Sequence, residues 1–122
     1  MAKTVQSRKA KGRRLQQLVR DCIVRMFVLH VDDVRSASMG SGGVDVILSP
    51  KAQAAFPYSV ECKAQEGFAK VYDAFNQAGE NAYKGTTPAV VLKSNNKEPL
   101  VVISLETFMN LAQSDYVRRT TD

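Results

Sequence analysis

Apolar side chains recur along this chain with two different periods, and the switches between them mark out the elements. From about Lys11 to Leu29 the apolar positions are Leu15, Leu18, Val19, Cys22, Ile23, Met26 and Leu29. Those offsets follow the helical turn and predict one amphipathic helix, with Arg13, Arg14, Gln17, Arg20 and Asp21 on its other face. Val31 to Ser38 reads as a first strand. Met39-Gly40-Ser41-Gly42-Gly43 is a turn, because glycine admits backbone angles that other residues avoid. Val44 to Leu48 is a second strand, apolar except at Asp45. An acid in such a run is costly to bury without a cation or a hydrogen-bond donor. Ser49 to Pro57 is a connection with one helical turn over Lys51 to Ala55, and Tyr58 to Lys63 is a third strand. A second long helix is predicted from about Glu66 to Tyr83, its buried stripe formed by Phe68, Val71, Phe75, Ala78 and Ala82. Gly85 and Pro88 stop it. Ala89 to Lys93 and Leu100 to Ile103 are two more strands joined by a polar loop. Ser104 opens the last helix, with Glu106 near the capping-box position, and the chain frays from Arg118.

The resulting order, α-β-β-β-α-β-β-α, predicts an α/β fold: a single domain with a mixed five-stranded sheet flanked by helices. A hydrophobic content of 44% over 122 residues is enough for one core. Residues 1–10 read as a basic flexible arm, 11–115 as the domain and 116–122 as a frayed tail. No apolar run approaches the roughly 20 residues of a membrane helix. No apolar stretch follows the basic N-terminus as a signal peptide would require, and Cys22 and Cys62 fit no C-x-x-C spacing. These features predict a cytoplasmic protein with reduced thiols and no membrane partner.

Charge adds a partner. The net charge is +5, and residues 1–25 alone contain eight basic residues against Asp21. A basic N-terminal region on a near-neutral body predicts binding to a polyanion, with Lys9, Lys11, Arg13 and Arg14 as phosphate contacts and Ser41 in the Gly/Ser turn as a further one.

The candidate chemistry lies in Val44-Asp45-Val46 and Val60-Glu61-Cys62-Lys63. Alternate side chains on a strand share a face, so Glu61 and Lys63 project together. Asp45 supplies a second carboxylate. Two carboxylates and a lysine around one point can hold a divalent cation and position a water for attack on phosphate. The single histidine, His30, excludes a histidine-rich metal site, and no phosphate-binding G-x-x-x-x-G-K-[ST] loop is present.

An acid after a Gly-rich turn, then Glu-x-Lys, then a helix containing Gln77-Ala78 resembles the PD-(D/E)xK nuclease superfamily. The likeness runs from about Lys11 to Ala112 and is greatest to the small Holliday junction resolvases and related phage nucleases. It implies a restriction-endonuclease-like core. It also implies that Asp45, Glu61 and the Cys62 carbonyl bind Mg²⁺ or Mn²⁺, that Lys63 orients or activates water, and that Gln77 joins the catalytic set. Val44 stands where the family name has proline. Gln16 stands where resolvases often carry a metal-assisting glutamate in the first helix.

The expectation is therefore a Mg²⁺-dependent DNA endonuclease, a Holliday junction resolvase or another structure-specific nuclease. It would act as a homodimer on branched or four-way DNA inside a cell, and it is compatible with a phage-encoded enzyme working in its host. The rival readings are a catalytically inactive nucleic-acid-binding module and a nuclease for host-DNA degradation or restriction.

Overall fold

The computed structural model describes residues 4–38 and 42–121. By its internal contacts the chain divides into two compact units, residues 1–65 with 111–122, and residues 66–110.

In the first unit, α1 spans Val5–Phe27 and starts six residues before the predicted Lys11. Thr4 begins it: its side-chain oxygen accepts the Ser7 N–H at 3.0 Å, satisfying one of the free donors of the first turn. The helix stops at Val28, whose φ of 52° is left-handed and whose N–H donates to the Val24 carbonyl. The predicted first strand shortens. Val31–Asp33 form a 3-10 turn, led by His30, whose Nδ1 accepts the Asp32 N–H at 3.1 Å. Strand β1 is then Val34–Ser36, and β2 is Val46–Leu48. They pair antiparallel, Val34 opposite Leu48 and Ser36 opposite Val46. Helix α2 spans Pro50–Ala55, opened by the Ser49 hydroxyl on the Ala52 N–H.

The core of this unit uses only part of the predicted helical stripe: Val19, Ile23 and Leu29 are buried, but Leu18 is exposed, and Phe27, outside the stripe, is buried. Val34, Val46, Ala52 and Phe56 are buried as well. Phe27 is the hub: its ring lies 5.4 Å from Phe56, edge on, and 5.4 Å from Tyr116. The last helix, α4 (Leu105–Thr120), belongs to this unit from Leu111 onward. Gln113 donates to the Met26 carbonyl at 2.8 Å, and Arg119 donates to the Ala54 and Ala55 carbonyls at 3.3 Å. Both contacts satisfy carbonyls at helix ends that have no partner within their own helix.

In the second unit, α3 spans Ala69–Glu80 and lies against a hairpin of β3 (Val90–Leu92) and β4 (Leu100–Val102), in register Val91 opposite Val101. The packing is open. No residue of α3 is fully buried, and a cavity of about 530 Å³ remains among Phe68, Val71, Phe75, Leu92, Val102 and Ile103. The first turn of α4 is capped as expected at Ser104, whose hydroxyl oxygen accepts the Thr107 N–H at 3.0 Å. Thr107, not Glu106, occupies the third position, and its hydroxyl meets Ser104 at 2.8 Å.

The five-stranded mixed sheet is not formed, and with it goes the restriction-endonuclease-like core. The described residues make two separate two-stranded antiparallel sheets, β1–β2 and β3–β4, with four helices. Strands β3 and β4 keep to a sheet of their own in the second unit, and Tyr58–Lys63 forms no strand. This segment runs beside β2 and accepts one backbone hydrogen bond, from Asp45 N–H to the Val60 carbonyl at 3.1 Å. The next donor along it, the Cys62 N–H, goes to the Asp45 side chain instead of a backbone carbonyl. A ladder needs repeated backbone pairs, and here the repeat is broken after one. Among the described residues no helix is long and apolar enough to cross a membrane.

Candidate functional site

Asp45 is placed by the backbone on both sides. Two residues earlier, Gly43 has φ of 88°, a left-handed angle at which a side chain would be strained. The chain then enters β2. The Asp45 carbonyl accepts the Ala37 N–H at 2.9 Å, extending the β1–β2 pairing by one residue, and its own N–H reaches Val60. Its half-buried carboxylate turns toward the third segment, where Oδ2 accepts the Cys62 N–H at 2.7 Å. That is the short, strong distance of a charge-assisted bond. The acid in the apolar run thus has the donor that its position demanded.

Glu61 and Lys63 flank the point where Asp45 is anchored. Glu61 Oε1 lies 3.5 Å from Lys63 Nζ, so both side chains do leave the segment on one side. Their side chains are 61% and 65% exposed, and a pair so solvated contributes only about 0–1 kcal/mol. The pair is weak enough for either partner to be recruited by a ligand. The Cys62 thiol senses this crowd of negative charge. Burial pushes its pKa up, and the Asp45 and Glu61 carboxylates push it further.

The oxygen donors available to a cation are the second oxygen of Asp45, the Glu61 carboxylate and the Cys62 carbonyl. Mg²⁺ and Mn²⁺ favour such hard ligands, and Mg²⁺ keeps several waters. Oxygen donors of this chemical kind suit either ion. Among the described residues no group of three or more His, Cys, Asp or Glu side chains comes together as a fuller metal cage.

The other predicted residues fall in three places. Gln16 is 4% exposed and accepts the Ser36 hydroxyl at 2.7 Å, binding α1 to β1 one ladder position from Asp45. Its neutral amide holds the scaffold. Gln77 lies on α3 in the second unit and is exposed, as its helical phase away from the apolar stripe requires. Lys9, Lys11, Arg13 and Arg14 all lie on α1; Lys11 is half-buried and the rest are exposed. Ser41 lies outside the described residues. The residue role that sequence reasoning missed is the Cys62 N–H as the anchor of Asp45. A backbone donor leaves no residue-type signal. Ser36, the partner of Gln16, was signalled only by a polar residue at an inward strand position. Comparison with family models, curated proteins and solved structures finds no match to this chain.

Proposed function

We propose that this protein is a metal-dependent DNA endonuclease working through Asp45 and the Glu61-x-Lys63 pair, acting on four-way or other branched DNA. The observation that carries the reading is the Asp45 carboxylate fixed 2.7 Å from the Cys62 N–H, between Glu61 and Lys63. Asp45 and Glu61 hold Mg²⁺ or Mn²⁺, with the Cys62 carbonyl as a further donor. When bound there, the ion would supply Lewis-acid polarisation of a phosphoryl oxygen and would lower the pKa of a water. The Lys63 ammonium has three donors to give to the attacking water or to the phosphate oxygens. Its exposed pair with Glu61 leaves it able to change partners. Lys9, Lys11, Arg13 and Arg14 contact the phosphate backbone, which gives affinity without base reading and suits an enzyme that recognises DNA shape. Symmetric cutting of a four-way junction calls for a two-fold homodimer. The two free cysteines suit a reducing intracellular compartment.

The test is incubation with labelled four-way junction, linear duplex and single-stranded DNA, in Mg²⁺ and in EDTA. The wild-type protein should cut the junction only with the metal. Asp45→Ala, which removes a metal ligand, and Lys63→Ala, which removes a donor to the water or phosphate, should bind it but lose cutting by at least about 10²-fold. Binding without cutting in either Mg²⁺ or Mn²⁺ would show an inactive nucleic-acid-binding module. Equal cutting of linear duplex would sink the junction preference and leave the nuclease reading standing. Sedimentation of the protein with the junction should give two chains per DNA.

A further inference from the structure

Helix α1 has no fully buried residue before Gln16: Ser7, Ala10, Lys11, Gly12 and Leu15 are half-buried, whereas Val5, Arg8, Lys9, Arg13 and Arg14 are exposed. The stretch from Val5 to Leu15 contains Arg8, Lys9, Lys11, Arg13 and Arg14 and no acid. Each residue advances about 100° round a helix. Lys9 and Arg13 therefore lie about 40° apart on one side, and Lys11 and Arg14 about 60° apart on roughly the opposite side, with Arg8 between. The apolar residues form no stripe: Val5, which is 61% exposed, Ala10 and Leu15 are spread round the circumference. A helix that lies on a membrane surface needs an apolar face, and one that follows a single phosphate strand needs charge on one side only. This segment has positive charge all round.

The charges also work against the helix that carries them. The first turn has no acid to complement the helix dipole. Lys9 and Arg13 stand four apart and Lys11 and Arg14 three apart, spacings at which like charges repel. Phosphates on both sides would relieve both penalties. The segment is about 16 Å long at the usual helical rise, and the major groove of a duplex, roughly 12 Å wide, admits a helix.

We infer that residues 5–15 of α1 enter the groove of a nucleic-acid duplex and are held by phosphates on opposite sides of the helix. This deepens the DNA-binding part of the proposed function and rests on it; it does not depend on Asp45, Glu61 or Lys63.

The test measures the affinity of the full-length protein for a short duplex against salt concentration, in EDTA so that no cutting intervenes. Wild type is compared with Lys9→Ala/Arg13→Ala and with Lys11→Ala/Arg14→Ala. Alanine favours the helix, so the element should survive. Removing one cation from a phosphate should lower the log–log slope by about 0.9, so each pair should lower it by about 1.8. A drop for only one pair would mean that the helix lies on one strand and would overturn the groove placement. No drop for either would make the segment a solvated helix end. Phosphatidylserine vesicles bound as tightly as the duplex, and released in the same variants, would assign the charges to a lipid surface. A protein that cuts nothing while both pairs lower the slope would sink the nuclease reading alone; one that cuts junctions while neither pair matters would sink the groove placement alone.

Discussion

Asp45 is held by the Cys62 N–H at 2.7 Å, and the Asp45 and Glu61 carboxylates both act on the Cys62 thiol. The raised thiol pKa of Cys62 can test this arrangement without a substrate. Burial is its main cause and remains in a Glu61→Gln variant, but one of the two carboxylate contributions is removed. The thiol pKa should then fall, more thiolate should be present at about pH 8, near the ordinary thiol value, and alkylation by iodoacetamide should speed up at Cys62 and not at Cys22. An unchanged rate would mean that the Glu61 charge does not act on the Cys62 thiol. Gln16 makes a different prediction, because its role is scaffold. Gln16→Ala removes a buried acceptor and leaves the Ser36 hydroxyl without the bond recorded at 2.7 Å. Denaturant unfolding should show a loss of about 1–3 kcal/mol. Asp45, Glu61 and Lys63 were all legible as candidates, since acids in apolar runs and i, i+2 pairs leave marks in the sequence. What holds Asp45 was not, because the donor is a peptide N–H.

Helix ends carry the next set of expectations. Val28 closes α1 at φ of 52° and is 88% exposed, a β-branched residue in a conformation that suits glycine or asparagine. Left-handed geometry costs a residue with a Cβ roughly 1–2 kcal/mol, and glycine returns about 0.5–1 kcal/mol of that as lost chain entropy. Val28→Gly should therefore raise stability by about 0.5–1 kcal/mol by the same balance, seen as a higher melting temperature. A fall would mean that the valine side chain packs in a way its exposure does not reveal. At the other end of the unit, Asp115 is bound by Arg118 at 2.8 Å and by Arg119 at 2.9 Å, and these hydrogen bonds hold its pKa below the usual carboxylate value. A lowered folded-state pKa contributes stability above the ordinary value, and the contribution is lost as pH falls through the folded one. Asp115→Asn should thus be the less stable protein at neutral pH, and its difference from wild type should close below about pH 4. The pairing also explains why α4 continues to Thr120 beyond the predicted fraying at Arg118: Arg119, which binds Asp115, also reaches the end of α2. Such contacts join residues 64 or 65 apart in the chain, so no local pattern could announce them.

At the scale of the molecule, packing is unequal between the two units, each taken by itself. The first contains Ile23, Val34, Val46 and Phe56, all at 2% exposure or less, whereas α3 of the second contains no buried residue and borders a cavity. Local stability follows buried apolar contact, so hydrogen exchange should be slower in α1 from Gln16 to Phe27 than in α3 or the β3–β4 hairpin. Equal protection would mean that the second unit is covered more fully than its packing indicates. The periodicity of the sequence determined much on its own: three of the four helices and a turn of the fourth, β1 and β2 on either side of the glycine turn, the β3–β4 hairpin, and the spacing that sets Glu61 beside Lys63. These depend on side chains within a turn or two of one another, where propensity and alternation act directly. The tertiary structure decided the rest. Tyr58–Lys63 has the alternation of a strand, yet whether it joins a ladder depends on the backbone donors of a distant segment. There, the Asp45 carboxylate takes the N–H that a third strand would have used. That hydrogen bond fixes Asp45 in the candidate site, because an ionised carboxylate binds a peptide N–H more strongly than a neutral carbonyl does.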